Sequence, residues 1–96
     1  MQLVTIYTTP FCGYCEAAKR LLTSRGFTYQ EVKVGDDPEL RAQVSSRVGN
    51  YRTVPMIFIG DEFIGGYDQL AALDRDKMLA TKIDPPAPED DAVRAT

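Results

Sequence analysis

Residues 3–22 read LVTIYTTPFCGYCEAAKRLL and contain a change from a strand pattern to a helix pattern. The first five of them, Leu3–Tyr7, form a β-branched run of strand length, which a short turn-like segment then interrupts. From Cys12 onwards, apolar residues recur at the spacing of an amphipathic helix. A C-x-x-C motif, formed by Cys12 and Cys15, therefore lies directly after a predicted strand and at the start of a predicted helix.

The rest of the chain alternates between the same two patterns. A β-α-β unit implies parallel strands with a right-handed crossover, and a tight turn at Gly60-Asp61 predicts an antiparallel hairpin. We expect the order β-α-β-α-β-β-α, an α/β fold with a mixed sheet flanked by helices. The elements predicted after the first helix are strands at 28–34, 56–59 and 62–64, a helix that Asp37 caps and Gly49 ends, and a last helix that Asp68 caps and that carries Leu70, Leu73, Met78 and Leu79.

Composition excludes several classes of protein. The 96 residues fit one domain, and the chain has two cysteines but no histidine. Without histidine there is no Ser-His-Asp or Cys-His catalysis and no histidine-ligated zinc. A pI near 4.8 argues against a nucleic-acid binder. No stretch is long and apolar enough to span a membrane, and the N-terminus lacks the features of a signal peptide, so we expect a cytoplasmic protein without membrane contact.

The acidic character is concentrated at the C-terminal end. Residues 84–96 are rich in proline and carry four acidic residues against one basic residue. They contain almost nothing to bury, so we predict a folded domain at 1–83 and an acidic, Pro-rich disordered tail at 84–96. The predicted domain is then formally neutral.

The C-x-x-C spacing suits thiol–disulfide exchange. Two cysteines three residues apart share one face of a helix, close enough to bridge. Cys12 falls near the N-cap, where free backbone N–H groups stabilise a thiolate, whereas Cys15 lies one turn further in and should be more buried. We therefore expect Cys12 to be the nucleophile and Cys15 the resolving thiol. A structural disulfide, a zinc site and two inert buried cysteines are the competing interpretations.

Three segments together resemble the glutaredoxin family, in its dithiol class. They are Thr8–Cys15 with its CGYC motif, Thr53-Val54-Pro55, and Gly65-Gly66-Tyr67-Asp68. The resemblance covers roughly residues 2–82. It implies the thioredoxin fold, glutathione as the reducing co-substrate, and a cis peptide bond before Pro55.

The resemblance also implies a set of glutathione contacts. The Val54 main chain would pair with the ligand backbone, and Arg52, or less favourably Arg41, would meet its glycine carboxylate. Asp68 would bind its amino group while also capping the last helix, and Gly65-Gly66 would allow close approach. Many relatives carry lysine where this chain has Thr9, so we expect weaker glutathione affinity, weaker stabilisation of the thiolate, or both. The full predicted set is Thr9, Tyr14, Arg52, Thr53, Val54, Pro55, Gly66, Tyr67 and Asp68.

The function that follows is glutathione-dependent reduction of protein disulfides and of glutathione mixed disulfides, by a monomer with no required metal. Glutathione and disulfide-bearing or glutathionylated proteins would be its partners. Two alternatives stay open. One is a homodimer that holds a [2Fe–2S] cluster between Cys12 of each protomer and two glutathiones. Some dithiol glutaredoxins with a small residue at the position of Gly13, where proline is more usual, can assemble such a cluster. The other is a glutaredoxin-like electron donor served by thioredoxin reductase.

Overall fold

The computed structural model of the protein describes residues 2–84. Apart from Asp84, the predicted acidic tail lies outside the described residues, so the boundary between residues 83 and 84 stays a prediction. No helix within the described part of the chain is long and apolar enough to cross a membrane. The elements are β1 (Val4–Thr8), α1 (Gly13–Ser24), β2 (Gln30–Lys33), α2 (Pro38–Arg47), β3 (Met56–Ile59), β4 (Glu62–Gly65), α3 (Tyr67–Arg75) and α4 (Leu79–Ile83).

The four strands form one mixed sheet in the order β2-β1-β3-β4. β1 pairs with β2 in parallel and with β3 in antiparallel orientation, and β3 pairs with β4 as an antiparallel hairpin. The predicted mixed sheet is confirmed. β1 is an inner strand of the sheet. The segment that follows its last residue therefore leaves the sheet at the end of a central strand, and this segment leads to the two cysteines.

Alternation along β1 decides which face of the sheet is covered. Val4, Ile6 and Thr8 are buried, while the residues between them are only half-buried. The buried face packs against α1, α3 and α4 in one core. The main members of that core are Val4, Ile6, Ala18, Leu22, Ile57, Ile59, Leu70, Leu79 and Ile83.

The predicted last helix is wrong in one respect, because the structure divides it in two. α3 ends at Arg75, and Lys77 adopts a left-handed φ of 61°. The Lys77 N–H donates to the Asp74 carbonyl and the Met78 N–H to the Leu73 carbonyl, which is the Schellman pattern of a helix end. Glycine usually occupies the left-handed position, as Gly26 does after α1, and a lysine there gave no signal in the sequence.

Three side chains join α1 to β1 and β2. The buried Thr8 hydroxyl donates to Glu31 Oε2 over 2.7 Å, and Lys19 Nζ lies 3.2 Å from the same oxygen. The hydrogen bond from Thr8, followed by the hydrogen bond and positive charge of Lys19, lowers the pKa of Glu31 below 4.5, against the opposing effect of partial burial. Glu31 therefore stabilises the fold more when it is ionised than when it is protonated.

Glu31→Gln is expected to lower the free energy of unfolding by about 1–2 kcal/mol near pH 7, because Thr8 and Lys19 lose a charged acceptor. A carboxyl with a lowered folded pKa contributes its full stabilisation above the unfolded pKa and loses it as the pH falls through the folded pKa. The difference from wild type should therefore shrink as the pH falls below 4.5, as measured by urea unfolding at several pH values.

Glu62→Gln is the matched control. Glu62 pairs with Lys82 over 2.9 Å, but its side chain is 60% exposed, so the pair should contribute about 0–1 kcal/mol at most. Equal losses in the two variants, or a loss in Glu31→Gln that does not change with pH, would show that the contacts of Glu31 with Thr8 and Lys19 stabilise the fold no more than an exposed ion pair does.

Candidate active site

Cys12 caps the N-terminus of α1. Its backbone is extended, with φ −106° and ψ 107°, and the helix begins at the next residue. Cys15 lies one turn further along and is only 1% exposed, whereas Cys12 is half-buried. The two cysteines form a disulfide, with their Cα atoms 5.2 Å apart. The predicted difference in burial between the two sulfurs is confirmed.

The surroundings of the Cys12 sulfur favour negative charge. The backbone N–H of Cys15 donates to Cys12 Sγ over 3.1 Å, and the free N–H groups of the first helical turn point the same way. Cys12 Sγ also lies 3.8 Å from the carbonyl oxygen of Val54, which can accept a hydrogen bond from the Cys12 thiol once the disulfide is reduced. Cys12 is thus the more exposed of the two cysteines and the one whose sulfur accepts a hydrogen bond from the first turn of α1.

The segment opposite Cys12 is Thr53-Val54-Pro55. The Val54–Pro55 peptide bond is cis, as the family resemblance implied, and Pro55 is buried. α2 holds the residues just before it, since the Ser45 hydroxyl donates to the Tyr51 carbonyl and Arg41 Nη2 donates to the Arg52 carbonyl over 3.2 Å. The Arg41 guanidinium therefore binds the backbone of this loop.

A groove of about 220 Å³ lies between this segment and the start of α3. Seven of the nine predicted glutathione contacts line it, while Thr9 and Arg52 do not. Arg52 is exposed and Thr9 is half-buried at the end of β1. The lining residues are Tyr14, Tyr51, Thr53, Val54, Pro55, Gly66, Tyr67, Asp68 and Gln69.

Two of the lining residues are tyrosines that contact each other. The rings of Tyr14 and Tyr67 stack with centroids 6.0 Å apart and planes inclined by 28°. Tyr14, between the two cysteines, is 64% exposed, as expected from the sequence. The stack places an aromatic wall directly beside the C-x-x-C turn.

The start of α3 corrects the prediction that Asp68 is the N-cap. Gly66 holds that position, and its N–H donates to Gln69 Oε1 over 2.9 Å. Asp68 is instead the second helical residue, exposed and in the groove lining. Its carboxylate is therefore not used for capping and stays available to a ligand beside the helix N-terminus.

Gly66 is needed because the chain passes close to a tyrosine. A Cβ at this position would lie 2.8 Å from the Tyr51 hydroxyl and 3.6 Å from the Pro55 carbonyl oxygen. Tyr51 itself packs edge-on against Phe63, with ring centroids 5.0 Å apart. The Tyr51 side chain therefore lines the groove beside Gly66.

Sequence reasoning missed Tyr51 and Gln69. Gln69 carries a usable signal, because glutamine at the third helical position is the capping-box residue. Tyr51 carries none, since its place in the groove depends on its contacts with Ser45 of α2 and Phe63 of β4.

Comparisons with known proteins agree with this geometry. The glutaredoxin family model matches residues 4–64. Glutaredoxin from Pseudomonas aeruginosa is 47% identical over 75 residues, covering 78% of this chain and 88% of that protein. Glutaredoxin 3 from Escherichia coli K12 is 45% identical over 74 residues, covering 77% of this chain and 88% of that protein.

Solved structures agree as well. Glutaredoxin from Brucella melitensis superposes with a TM-score of 0.79 at 41% identity, covering 88% of this chain and 91% of that one. The buckwheat glutaredoxin–glutathione complex superposes with a TM-score of 0.76 at 29% identity, covering 85% of this chain and 76% of that one. With thioredoxin fold, paired thiols and relatives in agreement, this chain belongs to the glutaredoxin family of thiol–disulfide oxidoreductases, in its dithiol class.

Proposed function

We propose that the protein uses glutathione to reduce protein disulfides and mixed disulfides between proteins and glutathione, in the cytoplasm. The observation that carries the proposal is the position of the Cys12 sulfur at the N-terminus of α1, beside a groove that ends at the N-terminus of α3. A related protein, buckwheat glutaredoxin, has been crystallised as a glutathione complex. These two observations favour a small thiol peptide as the ligand of the groove.

The dithiol reaction begins with the Cys12 thiolate. It attacks one sulfur of a substrate disulfide, forms a mixed disulfide with that sulfur, and releases the other as a thiolate that takes up a proton. Cys15 then loses its proton and attacks the Cys12 sulfur, which releases the second substrate thiol. The substrate gains two electrons, and the protein is left with the Cys12–Cys15 disulfide that the structure contains.

The monothiol reaction uses Cys12 alone. The thiolate attacks the glutathione sulfur of a glutathionylated protein, releases the protein thiol, and becomes glutathionylated itself. A second glutathione then attacks that sulfur, which regenerates the Cys12 thiolate and forms oxidised glutathione. Cys15 stays one turn away and buried, and takes no part.

The groove offers complementary groups to each end of glutathione. The Val54 main chain, next to the Cys12 sulfur, can pair with the peptide backbone of the ligand. Asp68 can bind the cationic amino group, while the free N–H groups at the start of α3 attract the neighbouring carboxylate. Thr9 supplies no charge where many relatives have lysine, so binding depends on these contacts.

A coupled assay tests the proposal. With NADPH, glutathione reductase and glutathione, the protein should catalyse reduction of a glutathionylated peptide, because electrons reach Cys12 through glutathione. Thioredoxin reductase without glutathione should support little turnover. NADPH consumption with thioredoxin reductase and none with the glutathione system would contradict the proposal. It would show that thioredoxin reductase, and not glutathione, supplies the electrons.

Asp68→Asn sharpens the test. Loss of the carboxylate should raise the KM for glutathione about tenfold with little change in kcat, since a charge-assisted hydrogen bond contributes about 1.5–3 kcal/mol. Asp76→Asn is the matched control, because it removes the same charge at the other end of α3, outside the groove. An unchanged KM in Asp68→Asn, or an equal rise in both variants, would remove Asp68 from the glutathione site.

Nothing in the described part of the chain favours the iron–sulfur alternative. The cluster would take only Cys12 from each of two protomers and its remaining ligands from glutathione, and residues 2–84 contain no further group of three or more potential metal ligands. We propose the oxidoreductase reaction alone.

A further inference from the structure

Phe11 precedes the nucleophile and is unusually exposed. Its relative accessibility is 107%, the highest among the large apolar residues that the structure describes as exposed, which are otherwise Leu3, Tyr14 and Met78. An exposed phenylalanine ring does not stabilise the folded protein, because its apolar surface stays in contact with water.

The backbone at Phe11 is also strained. Its φ of 58° lies in the left-handed region, where a Cβ is costly and glycine is the usual residue. The neighbours hold it there: Pro10 packs so closely on Gly35 that no side chain would fit at residue 35, and Cys12 is fixed as the helix cap. Strain of this kind is retained mainly at functional positions.

The ring lies outside the proposed glutathione groove. Tyr14, on the other side of Cys12 in the sequence, lines that groove, and Phe11 does not. Phe11 is thus an exposed ring next to the nucleophile in the sequence that the groove does not use. A small thiol needs only the groove, whereas a protein substrate extends beyond its own sulfur.

We infer that Phe11 is a specificity-determining residue, which receives an apolar side chain next to the disulfide cysteine of a protein substrate. The inference rests on the proposed reduction of protein disulfides. When the Cys12 thiolate attacks, the Cys12–substrate S–S bond forms and the substrate disulfide breaks, so the residues flanking the substrate cysteine come next to residue 11. Contact between the two apolar side chains stabilises this mixed disulfide by removing both from water.

Two symmetric disulfide peptides test the inference: the dimer of Gly-Leu-Cys-Leu-Gly and the dimer of Gly-Ser-Cys-Ser-Gly. Protein reduced in advance with a dithiol reacts with each in a single turnover, followed by quenching and mass spectrometry. Phe11→Ala should lower the rate on the leucine peptide about fivefold and leave the rate on the serine peptide within about twofold. Phe11→Tyr, which keeps the ring, should restore the leucine rate.

Leu3→Ala is the matched control, since Leu3 is 58% exposed and lies at the opposite end of β1. It should change neither rate. Phe11→Gly removes the strain with the ring, so it should melt no lower than wild type and still lose the leucine preference. Equal losses on both peptides, or no loss on the leucine peptide, would overturn the inference. Because single turnovers use no glutathione, they give an answer even if the coupled assay rejects glutathione as the reductant.

Discussion

Replacing Cys12 with serine is expected to abolish reduction of both protein disulfides and glutathione mixed disulfides, with a loss of at least about a thousandfold. The N-terminus of α1 and the Cys15 N–H, 3.1 Å from the sulfur, stabilise a thiolate. A serine hydroxyl at the same place does not ionise near neutral pH, and it cannot form the S–S bond through which both reactions proceed. The coupled NADPH assay measures the loss directly.

The fold should survive this change. Cys12 is half-buried at a helix cap, and serine is among the preferred N-cap residues, so the thermal midpoint of the variant should stay close to that of the reduced wild-type protein. Mass spectrometry after incubation with oxidised glutathione should find no adduct on Cys15, because that sulfur is only 1% exposed. Substantial turnover by Cys12→Ser would show that another group is the nucleophile.

Replacing Cys15 is expected to separate the two reactions. The variant should keep removal of glutathione from mixed disulfides within about threefold, because that route uses one thiol only. It should lose reduction of protein disulfides by at least about a hundredfold, because the intramolecular attack that resolves the mixed disulfide is gone. A covalent adduct between Cys12 and the substrate protein should then accumulate and be visible by non-reducing electrophoresis.

Two variants are needed at this position. Cys15→Ser places a hydroxyl in a buried site and should cost about 1–3 kcal/mol of stability, whereas Cys15→Ala avoids that burial. Both should show the same split between reactions, which separates loss of the thiol from loss of stability. If Cys15→Ala keeps full activity on protein disulfides, glutathione resolves every intermediate and the second thiol is dispensable.

Most of the fold was predictable because local patterns and capping residues agree with the tertiary structure. The strand–turn–helix at Cys12 and the Asp37 cap of α2 both appear as predicted. The failures came where an ordinary residue took an unusual role. Lys77 ends α3 in a left-handed conformation, and Gly66 displaces Asp68 from the N-cap through the Gln69 side chain.

The chemistry of the site follows from sequence alone, because it depends on residues three apart on one helix. Helix geometry places both sulfurs on one face of α1 and places Cys12 at its N-terminus. Neither consequence depends on the rest of the chain. The Cys12–Cys15 pair therefore needed no knowledge of distant segments.

The binding surface depended on tertiary structure, because it joins segments that are distant in the chain. Val54 lies beside the Cys12 sulfur although the two residues are 42 positions apart in the chain. They come together because β1 and β3 are neighbours in the strand order β2-β1-β3-β4. Tyr51 enters the groove because α2 and β4 hold it over Gly66. Phe11 is left in solvent because its neighbours fix its backbone. Long-range packing of this kind has no local signature, since the same residues elsewhere in a chain would be ordinary loop and core positions.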